Sequence, residues 1–284
     1  MGSMSRILTL TIALAMTVSA AVRIEKTNYK GWPNCYRITN GDVELVVTGD
    51  VGPRVIRYGF PGGQNLFKEY AEMIGKSGES QWMIRGGHRL WMAPEDPVLT
   101  YALDNGPVKI EAAGGVLTAT APVEALTVMA PGGAGITGFP PRGKHPDVLP
   151  PTNPLVMWAY TNLADKRWTF TEKYAVLRQD PKASEPEKIG HFNKNTWGAY
   201  LLGTDLFLKR HQADPSKIYP DFGCSFETFT NADMLELETL GPLTKVAPDA
   251  TVDHVERWSL HRNVRIPAWT DADLDKALLP LLGN

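Results

Sequence analysis

Glu236 and Glu238, in the segment Leu235-Glu236-Leu237-Glu238-Thr239, form the clearest chemical pattern in the chain. In extended backbone alternate residues share a face, so both carboxylates point one way and Leu235 and Leu237 the other. A carboxylate beside another carboxylate is harder to ionise. Its pKa climbs toward the range in which a side chain trades protons at neutral pH. A solvated strand face has the same spacing, so the pattern admits a bland reading too. Glu227 is the rival for a catalytic carboxylate, because Cys224-Ser225-Phe226-Glu227-Thr228-Phe229 places it in a strand among apolar residues.

A second block, Gly86-Gly87-His88-Arg89-Leu90-Trp91, joins a titratable imidazole, a guanidinium and an indole behind two glycines. Glycine permits close backbone approach or an unusual turn. His88 can donate or accept a proton near neutrality. Arg89 suits hydroxyl recognition and Trp91 suits stacking on a sugar face. Strand alternation sends His88 and Arg89 to opposite faces unless a bulge intervenes, leaving Arg89 on the side of Trp91. Polar binding candidates elsewhere are Glu95, beside Asp96 in a Pro-bounded loop; Arg142, near Lys144 and His145; Lys209 at a strand end; and Asp221 in Tyr219-Pro220-Asp221-Phe222-Gly223. Each also has a plain role as a solvated or capping residue.

The elements that must position these residues are short strands. Period-2 runs recur at 43–48, 54–58, 108–112, 116–120, 126–129, 169–171, 197–202, 206–209, 234–238 and 252–260. Asn40-Gly41, Pro61-Gly62-Gly63, Asn105-Gly106 and Gly114-Gly115 punctuate them. Such a density of strands and turns predicts an all-β sandwich or barrel. One helix is expected, capped by Thr270 or Asp271 and covering Asp273 to Leu282, with Pro280 ending or kinking it. The Pro- and Gly-rich stretch from Pro131 to Pro154 reads as a long ordered loop across the mouth of the sheet, or as a linker.

Composition narrows the classes. The chain has 284 residues, 43% hydrophobic and 21% charged, with a net charge of −2. No basic stripe interleaves with aromatics, so nucleic acid is not an expected partner. Eight Trp and nine Tyr fit a protein that stacks rings on sugars, although Trp also fills cores. Gly-x-Ser-x-Gly, His-Glu-x-x-His, phosphate-loop and dinucleotide fingerprints are missing from the sequence. The six His have no metal-ligand spacing, and neither a metal nor a cofactor is expected. Cys35 and Cys224 can form a disulfide or stay as two buried thiols. Arg6, the apolar run Ile7 to Val18 and Ser19-Ala20-Ala21 read as an export signal over residues 1–21, ahead of one domain at 22–284. The expected location is periplasmic or secreted, without a stable membrane span after cleavage; an uncleaved anchor is the competing reading.

Several blocks taken in order resemble an uncharacterised bacterial domain family of the galactose-mutarotase-like (aldose 1-epimerase-like) superfamily. They are Gly52-Pro53-Arg54-Val55-Ile56, Gly62-Gly63-Gln64-Asn65-Leu66-Phe67, Gly86 to Trp91 with Ala93-Pro94-Glu95, Leu235 to Thr239, and Ala247-Pro248-Asp249-Ala250. The resemblance implies a β-supersandwich of two large antiparallel sheets, one curved into a sugar groove. It places Glu238 where epimerases hold the base that removes the anomeric proton; His88, able to donate near neutrality, is the candidate acid for the ring oxygen. The implied partner is a carbohydrate, an aldose or modified sugar; a non-catalytic carbohydrate-binding protein on the same scaffold, or an accessory domain-like protein for polysaccharide breakdown, is the alternative. One departure stands out. Glu124 runs directly into Ala125-Leu126-Thr127, where the family carries several further strands, including one with a His.

Overall fold

A computed structural model of the chain describes residues 21–91, 93–98, 100–120, 126–152, 155–247 and 250–283. In chain order the strands are β1 (Arg23–Tyr29), β2 (Trp32–Thr39), β3 (Glu44–Val47), β4 (Val55–Gly59), β5 (His88–Leu90), β6 (Lys109–Ala113), β7 (Val116–Thr120), β8 (Leu126–Ala130), β9 (Ala134–Gly138), β10 (Leu155–Met157), β11 (Trp168–Phe170), β12 (Tyr174–Arg178), β13 (Glu187–His191), β14 (Asn195–Leu202), β15 (Asp205–Gln212), β16 (Phe226–Thr230), β17 (Leu235–Thr239) and β18 (Arg257–His261). A single described helix, α1 (Asp271–Leu282), follows. The architecture is the expected all-β sandwich. A ten-stranded sheet runs β1-β2-β3-β4-β5-β8-β17-β16-β13-β10, and a six-stranded sheet runs β11-β12-β9-β14-β15-β18. Neighbouring strands pair antiparallel, as in β16 with β17 and β14 with β15.

Period-2 alternation sets the layers. Leu235 and Leu237 of β17, Phe226 of β16 and Ile189 of β13 point inward from the large sheet. They meet Leu177, Tyr200 and Phe207 of the small sheet in the main core. The outer face of the small sheet buries Ile136, Val176, Leu206 and Leu208 against Leu274 and Leu278 of α1. The remaining face of the large sheet, on the side of Glu236 and Glu238, is not covered by a helix among the described residues.

Local chemistry explains the elements. Gly114 and Gly115 both take positive φ (57° and 78°), as a two-residue turn between β6 and β7 requires. Thr270 caps α1, accepting from the Asp273 amide at 3.3 Å. The helix continues two residues beyond Pro280 rather than stopping there. Its last turn is held by Arg210, whose Nη1 donates to the Leu282 carbonyl at 2.9 Å.

Two expectations need revision, and two fall on residues outside those described. The stretch from Pro131 is not a loop throughout, because β9 is a buried interior strand of the small sheet. Its sequence, Ala-Gly-Ile-Thr-Gly, lacks alternation because both faces are covered. Gly135 lies against Leu235 and Leu237, and Gly138 lies under the Trp197 ring, so large side chains have no room. Within 252–260 only the part from Arg257 pairs, as β18. The junction at Glu124-Ala125 falls outside the described residues, as does the export signal except for Ala21. Cys35 and Cys224 are buried free thiols. No described helix is long and apolar enough to cross a membrane.

A Cβ on Gly138 would sit 2.6 Å from the Trp197 ring. Gly138→Ala is therefore expected to destabilise the protein by about 1–3 kcal/mol in urea unfolding. A loss under about 0.5 kcal/mol would mean that the indole shifts aside freely.

Candidate functional site

The outward face of the large sheet carries a row of ionisable side chains. Register builds it. Glu227 of β16 lies directly opposite Glu238 of β17 on one side and Gly190 of β13 on the other. One pleat along, Phe229 stands between Glu236 and Lys188. Residues opposite one another share a face. Two strands beyond β17, Arg89 of β5 pairs with Thr127 of β8 on the same face.

Two carboxylates directly opposite each other repel. Lys188 answers this by reaching diagonally between them. Its Nζ lies 2.7 Å from Glu227 Oε2 and 3.2 Å from Glu238 Oε1, with Glu238 Oε2 at 3.5 Å. All three side chains are almost fully buried, at 8%, 2% and 3% exposure. The Trp158 ring centroid lies 4.7 Å from the same Nζ. Gly190 makes the space. A Cβ there would lie 2.4 Å from Cys224 Sγ and 3.1 Å from Glu227 Cγ.

Three carboxyls around one ammonium cannot all ionise. Burial pushes Glu236 well above the ordinary carboxyl range, and the neighbouring charge of Glu238 pushes it further. Glu227 is raised to about 8 by burial, with Glu238 adding and Lys188 opposing. The proton belongs to the cluster as a whole. Glu236 is its natural seat, because Glu227 lies against the ammonium. Lys188 is held well above its ordinary value: burial works against its charge, and Glu238 and Glu227 more than offset that.

Around this floor lies a groove of two adjoining lobes, of about 360 Å³ and about 210 Å³. Trp91, Glu95, Lys188 and Glu238 line both. The wider lobe adds Trp158, Asp221, Glu227 and His254; the narrower adds Trp82, Arg89, Tyr160 and Glu236. Arg89 donates to the Thr100 carbonyl at 3.0 Å and lies 4.8 Å over the Trp82 ring. Tyr101 donates its hydroxyl to Glu95. Asp221 reaches the groove from a turn in which it and Phe222 take φ of 49° and 57°, uncommon for residues other than glycine.

Six sequence candidates thus come together: Glu238, Glu227, Arg89, Trp91, Glu95 and Asp221. Three do not. His88 pairs with Val128 on the core side of the sheet, with its ring edge-on to Trp258 at 4.8 Å. Lys209 is fully buried between the sheets, donating to the Leu237 carbonyl at 2.9 Å and pairing with Glu256 at 2.9 Å. Both surround Glu256: burial would raise that carboxyl, but Lys209 and His88 hold it far below the ordinary range. Arg142 is exposed and pairs with Glu172 at 3.0 Å, beside a separate cavity under α1.

Sequence reasoning missed Lys188, Trp158, Tyr160, Trp82 and His254. Lys188 left a signal: in Glu187-Lys188-Ile189-Gly190-His191 a lysine and a glycine alternate with residues that face the core. His254 donates through Nε2 to the Thr239 hydroxyl at 2.9 Å, since that hydroxyl gives its own proton to Glu256. Burial, with the stacked His211, lowers its pKa to about 4, so it is neutral near pH 7. Among the described residues no His, Cys, Asp and Glu cluster could hold a metal ion.

Lys188→Ala leaves two opposed carboxylates buried without a cation. It is expected to cost about 3–5 kcal/mol of unfolding free energy; a cost below about 1 kcal/mol would mean the carboxyls carry no charge to balance. Glu236 holds a proton in the folded state that the unfolded chain releases near pH 4.5. Its contribution to stability is complete below that pH and is lost as pH rises through its raised folded value. Stability of Glu236→Gln, followed from pH 5 to 9, should fall less steeply than wild type. Parallel curves would refute the assignment.

Compared with known proteins, the chain matches no family model, no curated protein and no solved structure.

Proposed function

We propose that the chain binds a carbohydrate in this groove and acts as an aldose 1-epimerase-like protein of the galactose-mutarotase-like kind. The observation that carries the reading is the placement of Glu238 and Lys188 at the centre of a groove walled by Trp82, Trp91, Trp158 and Tyr160. Indole and phenol rings offer flat apolar faces for a pyranose, while the carboxyls and cations meet its hydroxyls.

In the catalytic form of this reading, Glu238 takes the proton from the anomeric hydroxyl as the ring C–O bond breaks. The ring oxygen must gain a proton. His88 is not used, because it faces Trp258 across the core. Lys188, held well above its ordinary pKa, is better suited to stabilising negative charge than to releasing a proton. Glu236, kept protonated by burial and by Glu238, is the matched acid on the same face. Rotation about C1–C2 and closure on the other face of the aldehyde reverse both transfers. No cofactor enters this scheme.

A non-catalytic binding protein is the second reading, and one observation favours it. Both oxygens of Glu238 lie within 3.5 Å of Lys188, so a base at this position works against an ion pair.

NMR exchange measurements on freshly dissolved aldoses separate the two. A catalyst accelerates anomer interconversion, and Glu238→Gln lowers that rate by about 10²–10⁴-fold. Binding without acceleration would establish the non-catalytic reading, and a groove that binds no aldose of the panel would end the epimerase reading.

A further inference from the structure

Resting on the non-catalytic form of the carbohydrate reading, we infer that the groove takes a saccharide chain of several units, with one unit in each lobe and the Glu238–Lys188 pair beneath the junction, and not a single free sugar. The charged pair does not sit at the blind end of one cavity. It lies where two cavities meet, and both are lined by the same four residues, Trp91, Glu95, Lys188 and Glu238. A ligand centred on the pair therefore extends to both sides.

Each lobe is equipped separately. Each has its own aromatic platform, Trp158 in the wider and Tyr160 in the narrower. These two residues flank Ala159 just beyond β10, so one short segment presents a ring to each side of Lys188. A monosaccharide in either lobe would leave the other ring unused.

Calorimetric titration tests this with methyl glycosides and the matching tetrasaccharides of the gluco, xylo, manno, galacto and N-acetylglucosamine series. In the series that binds, the tetrasaccharide is expected to bind at least tenfold tighter than the methyl glycoside. Loss of one platform is expected to weaken the tetrasaccharide by about tenfold, whether the variant is Trp158→Ala or Tyr160→Ala, whereas the methyl glycoside responds to only one of them. Should Trp158→Ala fold poorly, Leu243→Ser probes the same lobe from a side chain that is 51% exposed. Equal affinities for the short and long ligands, or a tetrasaccharide sensitive to one lobe only, would overturn the inference while leaving sugar binding in place. Failure of every series to bind would remove the carbohydrate reading and this inference together.

Discussion

One buried lysine sets the terms for the outward face of the large sheet. Antiparallel register places Glu227 directly against Glu238, an arrangement that like charge disfavours in any β-sheet. Lys188, one strand further on, makes it tenable by contacting both. The desolvation of three charged groups is severe, and ion pairs of this kind seldom add net stability over an apolar replacement. A row of valines would hold these strands together at lower cost. That the strands carry carboxyls and an ammonium where apolar packing would serve better is the strongest physical reason to place function here.

The opposite face of the same strands shows how the cost is carried. Leu235, Leu237, Phe226 and Ile189 enter a core shared with Tyr200 and Phe207, and a second apolar layer joins the small sheet to α1. The interior is not purely apolar. Lys209, Glu256, His88 and the Thr239–His254 bond form a second ionic group near the end of β17. Lys209 donates to the carbonyl of Leu237, the residue next to Glu238. β17 is thus fixed from behind by one lysine and from the front by another, which holds the position of Glu238 from both faces of the sheet.

Much of this was legible in the sequence, and the reasons divide cleanly. Glu236 and Glu238 alternate with leucines, so period 2 placed them on the outward face. The same rule separated Arg89 from His88 and left Arg89 with Trp91 on the groove side. It failed at β9, where Ala134–Gly138 is covered on both faces and alternation disappears. At β13, a five-residue strand, it gives only a face, and the lysine is buried by partners from other strands. Those partners are 39 and 50 residues away in the chain, so only the register of β13, β16 and β17 brings them together. Local pattern gives the face of a residue but not which strand lies beside it. That is why Lys209, on a strand with the expected pattern, ended between the sheets instead of in the groove.

The two contacts of Lys188 are unequal, and the inequality assigns their roles. At 2.7 Å, Glu227 Oε2 has the geometry of a strong charge-assisted hydrogen bond. At 3.2 and 3.5 Å, the bonds to Glu238 are long and shared between two oxygens. In the proposed carbohydrate reading, a ligand hydroxyl would compete for the weaker of the two. Glu227 anchors the ammonium and leaves the oxygens of Glu238 the less firmly held. Glu236, whose proton is favoured by burial and by Glu238, would supply the complementary donor. A donor and an acceptor on one strand, two residues apart and facing the same way, need no movement of the fold to act on a single ligand. The rigidity that the core and the two lysines impose on β17 is then the feature that makes such a pair usable.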